Sequence, residues 1–452
     1  MPEEFDLVVI GTGAGGSTPA SKCRAAGWRV AVVDDQSYGG TCALRGCDPK
    51  KVLVGAADVA SWHNRMREHG VAGDARIDWP ALMVFKRTFT DPVPASRESA
   101  LEKAGIETLH GTARFVADDR LVVGQRELSG KHFVIAAGSG PRPLEIPGED
   151  LVISSTEFLE MEVLPSRIAF IGAGYISLEF AHIARQARAE VVVLGRGSPL
   201  PSFDEALVER LLSHSRDIGI DVRLDTDVTK VESVEGSDTF RVHSRSGGGF
   251  DVVEAALVVH GAGRVPNTAH LGTKDGHIQL DQRGAVEVNE FLQSITNPRV
   301  YAAGDVALPQ GSIPLTPVAA QEGAVVAHNL LHGNTKKPDY RGTPSVVFTL
   351  PPLAAVGLTE KAAREQRIAV RVESGDTSGW YSNRRVREPV GMFKTVIDAD
   401  SDRVLGAHLL GVHVDEVINL FALAVRFGIT AKDLRQMIYA YPTSGSDIPY
   451  ML

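Results

Sequence analysis

Two cysteines set the chemistry open to this chain. Cys42 and Cys47 stand in the run Gly39-Gly40-Thr41-Cys42-Ala43-Leu44-Arg45-Gly46-Cys47-Asp48-Pro49-Lys50-Lys51. In a regular helix, residues five apart are ~7.5 Å apart along the axis, more than most disulfides tolerate between Cα atoms. A bond between the two therefore needs an irregular turn, which Gly46 permits. Asp48 and Pro49 fit the N-cap and first residue of a helix running to about Arg67. Cys47 then sits at that helix's positive end beside Lys50 and Lys51, a setting that lowers a thiol's pKa and favours a reactive thiolate. Cys23, alone in an alanine-rich helix, reads as core packing.

The elements that must position this pair begin just upstream. Asp6 to Ile10 is a short apolar run suited to a buried parallel strand. It enters Gly11-Thr12-Gly13-Ala14-Gly15-Gly16, then a helical stretch, then a second strand from Trp28 to Val33 that ends on Asp34. Gly11 makes the turn, Gly13 lets the backbone approach a pyrophosphate, and Gly16 lets helix and strand pack closely. The helix N-terminus attracts phosphate, and Asp34 is placed to bind a ribose hydroxyl. The pattern returns at Ile168 to Ile171, followed by Gly172-Ala173-Gly174-Tyr175-Ile176-Ser177, a helix, and the strand Glu190 to Leu194. Two such units in one chain imply two dinucleotide sites.

The second unit lacks an acid after Leu194 and reads Gly195-Arg196-Gly197-Ser198. An arginine without a ribose-binding carboxylate suits a 2′-phosphate, so NADPH is favoured over NADH. With 452 residues, 43% of them apolar and 23% charged, the chain has the composition of a globular protein of roughly three domains. Net charge of −9 argues against nucleic acid or an anionic membrane as partner. No apolar run approaches the ~20 residues of a membrane span, the N-terminus lacks a basic leader, and three cysteines are too few for a disulfide scaffold. A cytoplasmic setting is expected.

The cysteine segment resembles the GGTCxxxGCxPxK signature of the flavoprotein disulfide reductases, the class that includes glutathione reductase, dihydrolipoamide dehydrogenase and mercuric reductase. Further motifs fall in that family's order: Ile135-Ala136-Ala137-Gly138, Gly261-Ala262-Gly263-Arg264-Val265-Pro266-Asn267, Tyr301-Ala302-Ala303-Gly304-Asp305, Leu315-Thr316-Pro317-Val318-Ala319-Ala320 and Val356-Gly357-Leu358-Thr359-Glu360. The resemblance implies an α/β chain with two Rossmann-type domains and an α+β C-terminal dimerisation domain. It divides the chain at about 1–148 (FAD), 149–265 (NADPH), 266–337 (FAD, second part) and 338–452 (interface). FAD would meet Gly11, Gly13, Gly16, Asp34, Gly40, Thr41, Ala137, Gly138, Asp305 and Ala319. NADPH would meet Gly172, Gly174, Tyr175, Ile176, Arg196 and Gly263. Tyr175 would cover the nicotinamide pocket, Cys47 would face the flavin, and Cys42 would be the interchange thiol that attacks the substrate. A lysine, Lys50 or Lys51, would lie near the flavin N5 and pair with Glu179.

The C-terminal signature of these reductases is HPTxSE, in which a histidine from the other subunit protonates the leaving thiol. Here the segment reads Tyr441-Pro442-Thr443-Ser444-Gly445-Ser446-Asp447. Tyrosine, with a reference pKa near ~10, is a poor acid–base shuttle at neutral pH. Serine replaces the orienting carboxylate, and Asp447 lies one position beyond it. Tyrosine at this position resembles mercuric reductase, yet no cysteine follows Cys47. The expected acceptor is a small disulfide, polysulfide or thiophilic metal ion. Two alternatives stand beside it: a quinone- or diaphorase-type reductase, or an atypical carboxylase-like member without the His–Glu dyad; and a non-catalytic redox-sensing protein. A homodimer is expected, with Tyr441 entering the partner's active site. His328 and His332 could share a helix face, but no third ligand has recognisable spacing, so no metal site is expected.

Overall fold

Short runs rich in valine and isoleucine form the parallel strands, since such side chains pack on both faces of a covered sheet. The computed structural model describes all 452 residues, and they gather into two units. The first comprises Met1–Lys50, Phe85–Arg142 and Gly263–Tyr340. Its seven-stranded sheet is built on β1 (Glu3–Ile10), followed by the helix α1 (Ala14–Ala25) and the strand β2 (Val30–Asp34). β1 pairs in parallel with β2 on one side and with Arg126–Ile135 on the other. Glu107–His110 extends the parallel set beyond β2, and Val300–Ala302 pairs in parallel with the upper end of Arg126–Ile135. Alternation along β1 divides the core. Leu7 and Val9 pack with Val30, Val32 and Tyr301, whereas Val8 and Ile10 pack with Ala31, Val33, Phe115 and Phe133.

After β2 come two further helices, α2 (Gly40–Arg45) and α3 (Cys47–Met66), with Gly46 breaking them apart. The expected N-cap at Asp48 is corrected here. Lys50 N–H already donates to the Gly46 carbonyl at 3.2 Å, so the helix opens at Cys47 and Asp48 lies within its first turn.

The second unit comprises Lys51–Val84, Pro143–Ala262 and Arg341–Leu452. It carries a four-stranded parallel sheet in the order Ile220–Arg223, Glu190–Leu194, Arg167–Ile171, Leu257–His260, and a three-stranded antiparallel sheet over Asp227–Ala255. Its C-terminal part is a five-stranded antiparallel sheet packed against the helix Val414–Phe427. That helix starts at Val414, where His413 takes the left-handed conformation (φ 58°) that turns the chain into it. The α/β class, with two Rossmann-type sheets and an α+β C-terminal region, agrees with the sequence reading. No helix is long and apolar enough to cross a membrane.

Candidate active site

Both glycine turns leave room where the protein does not need it. A Cβ added to Gly13 would meet nothing nearer than 3.8 Å, and one at Gly174 nothing nearer than 3.5 Å. Both residues have ordinary negative φ and cap a helix N-terminus. Packing within the chain therefore gives no reason for glycine at either position. A phosphate drawn onto the exposed helix amides does, and in this sense the turns fit the two dinucleotides. Gly11 and Gly172 make the turns proper, with φ 104° and 100°. Gly16 packs against the Gly11 carbonyl. Its counterpart Ser177 is fully buried against Gly261, and its hydroxyl has no partner. Asp34 uses part of its acceptor capacity on the turn itself, taking the Thr12 N–H (2.8 Å), the Thr12 hydroxyl (2.6 Å) and the Gln36 N–H (2.9 Å).

The cysteine loop is bolted directly onto the first of these turns. Gly40 has φ 73°, and a Cβ on it would lie 2.5 Å from the Gly13 Cα, so backbone meets backbone there. Thr41 follows, exposed, in the first turn of α2. Gly46 sits at φ −142°, ψ −115°, and a side chain there would collide with the Thr41 carbonyl. That break brings the half-buried Cys42 to the exposed Cys47 as a pair of free thiols. The two share a hydrogen bond that splits their acidities. The Cys47 thiol is lowered to about 6 by the bond from Cys42, a bond from Thr316 and the charge of Lys50, against the partial desolvation that the surrounding protein imposes even on this accessible residue. Cys42 is pushed up by the same bond and by burial. The pair thus holds one proton on Cys42 and a thiolate on Cys47, as helix-N-terminal placement also favours. Thr316 Oγ1 lies 3.6 Å from Cys47 Sγ at the start of the helix Thr316–His332. Cys23 is buried and its thiol is raised to about 12, which makes it inert.

A polar cluster in the first unit surrounds Asp305. Ser139 Oγ donates to its carboxylate at 2.8 Å, and Arg264 Nε donates to Ser139 Oγ at 3.0 Å. Ala137 receives the Asn267 side-chain amide at 2.9 Å, and Gly138 takes φ 67°. Gly304 N–H donates to Glu322 at 2.6 Å, and a Cβ on Gly304 would lie 3.1 Å from that of Ala319. Glu322 is fully buried and also accepts from Ser312 Oγ (2.8 Å) and Tyr340 Oη (2.7 Å). Burial raises its pKa against these three donors. The sequence reading missed Ser139, Thr316, Glu322 and Tyr340; a single acidic residue, Glu322, within the helix Thr316–His332 was the available signal.

The two adjacent lysines are separated by their surroundings. Lys51 Nζ sits 3.7 Å above the Phe348 ring and 3.4 Å from Asp415, whereas the charge felt by Cys47 is that of Lys50. Glu179, buried, accepts the Phe348 N–H at 2.7 Å. Tyr175 is partly exposed and Ile176 half-buried at the start of the helix Tyr175–Gln186. Arg196 is exposed and 3.6 Å from Asp227. Gly263 takes φ 106° at the start of the return segment of the first unit. Tyr441 is 81% exposed. Asp447 is half-buried and bonded to Ser382 of its own chain, with its carboxyl raised by burial. The rings of His328 and His332 meet at a 55° tilt with centroids 4.8 Å apart, and no group of three His, Cys, Asp or Glu side chains is arranged to hold a metal ion.

Comparison with known proteins agrees with this geometry. Residues 5–323 match the pyridine nucleotide-disulphide oxidoreductase family, and residues 343–451 match that family's dimerisation domain, which supports a homodimer. Glutathione reductase of Burkholderia cepacia is 33% identical over 97% of this chain and 96% of its own. Mercuric reductase of Staphylococcus aureus is 32% identical over 97% of this chain and 80% of its own. The solved Cu(II) complex of the HOCl-induced flavoprotein disulfide reductase RclA from Escherichia coli superposes with a TM-score of 0.88 at 28% identity, covering 100% of this chain and 99% of that one. Glutathione reductases of this family use FAD and NADPH. The paired nucleotide turns, the thiol–thiolate pair and these likenesses together make this chain an enzyme of the pyridine nucleotide-disulphide oxidoreductase family.

Proposed function

We propose that this enzyme is an NADPH-dependent reductase that delivers electrons through FAD to Cys42 and Cys47 and then to a small disulfide, polysulfide or thiophilic metal ion. The observation that carries the reading is the break at Gly46, which sets the free thiols of Cys42 and Cys47 together at the start of α3, with Thr316 Oγ1 3.6 Å from Cys47 Sγ. In this reading residues 1–148 and 266–337 form the FAD domain, 149–265 the NADPH domain and 338–452 the interface domain, in a cytoplasmic protein. Arg196, with no acid after Leu194, would meet the 2′-phosphate of NADPH. Asp305 and the turns at Gly13 and Gly40 would hold FAD, with Lys50 as the lysine nearest the flavin. When bound, FAD supplies the two-electron link between the nicotinamide and the cysteines.

The chain's own residues then do sulfur chemistry. Cys42, once deprotonated, attacks one sulfur of a disulfide, forms a mixed disulfide and expels one thiolate. The Cys47 thiolate attacks Cys42 Sγ, closes the Cys42–Cys47 disulfide and expels the second thiolate. Both leaving thiolates need protons, and the position where the disulfide reductases keep a histidine holds Tyr441. A thiophilic metal ion needs no protonated leaving group, only the loss of the Cys42 proton, and this favours it among the acceptors. The mercuric reductase likeness and the copper in the RclA structure point the same way.

The test is anaerobic reduction by NADPH of the FAD-loaded protein, followed by acceptor turnover. The long-wavelength absorbance of a thiolate beside the flavin is expected to form and to be absent in Cys47→Ser. Cys42→Ser is expected to lose turnover of disulfides and metal ions by at least ~10³-fold. Full turnover of every acceptor by Cys42→Ser would overturn the reading.

A further inference from the structure

The interchange thiol has a carboxylate beside it that sequence reasoning treats as a helix cap. The Cys42 thiol points toward Asp48 Oδ1 at 3.9 Å. Because the helix opens at Cys47, Asp48 is not used as the cap; it stands exposed in the first turn of α3. Its charge raises both thiols, opposite to the effect of the half-buried Lys50 on Cys47. The solvent-facing charge next to the Cys42 sulfur is therefore negative.

We propose that Asp48 is a specificity-determining residue: its carboxylate draws cationic acceptors to Cys42 and repels anionic disulfides, such as glutathione disulfide. This rests on the reading of Cys42 as the thiol that meets substrate. No three-ligand metal cluster is present, so Asp48 acts through charge on whatever approaches the sulfur. Unit charges a few ångströms apart near a protein surface interact strongly enough to change an encounter rate by about tenfold, and added salt screens the effect.

The experiment uses the full-length FAD-loaded protein, reduced by NADPH without oxygen. Three methanethiosulfonates of like size carry an ammonium, no charge or a sulfonate. In each, the Cys42 thiolate forms a disulfide with the sulfenyl sulfur and expels methanesulfinate. Modification rates at Cys42, located by mass spectrometry, are compared in a Cys47→Ser background, where no second thiol competes for the reagent or releases the adduct, for the wild-type Asp48, Asp48→Asn and Asp48→Ser. The cation-to-anion rate ratio is expected to fall about tenfold in both variants, and the wild-type ratio to shrink at high salt. The same ratio in wild type and variants at low salt sinks the proposal. Turnover of cystamine, a dication, against dithiodipropionate, a dianion, provides the second arm. If the modification ratio shifts but no disulfide or metal ion is turned over, the acceptor reading falls while the role of Asp48 stands. If acceptors are turned over with an unshifted ratio, Asp48 alone is overturned.

Discussion

At the residue scale, the charge on Cys47 depends on neighbours drawn from far apart in the chain. Cys42 and Lys50 lie close in sequence, but Thr316 arrives from 269 residues away. A hydrogen bond of this kind is worth about 1 kcal/mol, which corresponds to ~0.7 pH units. Alkylation of Cys47 by neutral iodoacetamide should therefore rise with a midpoint of about 6 in the reduced wild-type protein. Thr316→Val should move that midpoint upward by ~0.5–1 unit, and an unmoved midpoint would show that the hydroxyl contributes nothing. The local half of this environment was legible in the sequence, since Gly46, Lys50 and the helix start are neighbours of Cys47. The rest was not. Thr316 and Asp48 bear on the sulfurs through folding geometry that spacing does not encode, and Asp48 has the residue type of a cap that the backbone placed elsewhere. Lys50 and Lys51 read alike as letters; Phe348 and Asp415, which engage Lys51, and the charge that Lys50 puts on Cys47 tell them apart.

At the element scale, α3 is anchored far from its cysteine by a buried ion pair. Arg65 Nη1 lies 3.0 Å from Glu388, which is 3% exposed, and Arg65 also donates to Ser61 Oγ at 2.8 Å. Burial raises the Glu388 carboxyl to about 7, with Arg65 pulling the other way. The folded protein thus binds this proton more tightly than the unfolded chain, where the reference is ~4.3. The stabilisation from that proton is fully present below ~4.3 and is lost as pH rises through about 7. Arg65→Met removes the cation that offsets the ionised form. It should cost about 3 kcal/mol at about pH 8, and clearly less at about pH 5 where Glu388 carries its proton. Urea unfolding at the two pH values checks this, and an equal cost at both would rule out the ionised pair as the anchor. Strand–turn–helix periodicity made β1, α1 and β2 readable, because buried parallel strands and phosphate turns impose local patterns. Element ends were less so. Gly46 starts α3 through its backbone conformation, two residues before the cap that side-chain preferences suggest, and the left-handed His413 starts the helix Val414–Phe427.

At the scale of the whole molecule, the exposed C-terminal surface is the part that a single chain leaves unexplained. Tyr441 is 81% exposed and Ile438 95%, with Phe427 at 70% on the nearby helix end. Large apolar groups left open in this way mark an association surface, and they lie within the segment that matches the dimerisation domain. In a two-fold dimer, each site built from Cys42 of one subunit and Tyr441 of the other would occur twice. Where Tyr441 serves the acceptor as a hydrogen-bond donor or ligand, two variants that each lose turnover alone should then rescue each other. Cys42→Ser keeps a sound Tyr441 and Tyr441→Ala keeps a sound Cys42, so each heterodimer contains one intact site and one doubly damaged site. After unfolding and refolding of an equal mixture, half the dimers are heterodimers, and acceptor turnover should recover to about a quarter of wild type. Sites formed within one chain predict no recovery above the separate variants. NADPH reduction of the flavin, which needs neither residue, serves as the measure that the refolded material is intact. If Tyr441→Ala alone keeps full turnover, the residue is dispensable. The change from histidine to tyrosine would then be the loss of an acid–base group, with no new contact in its place.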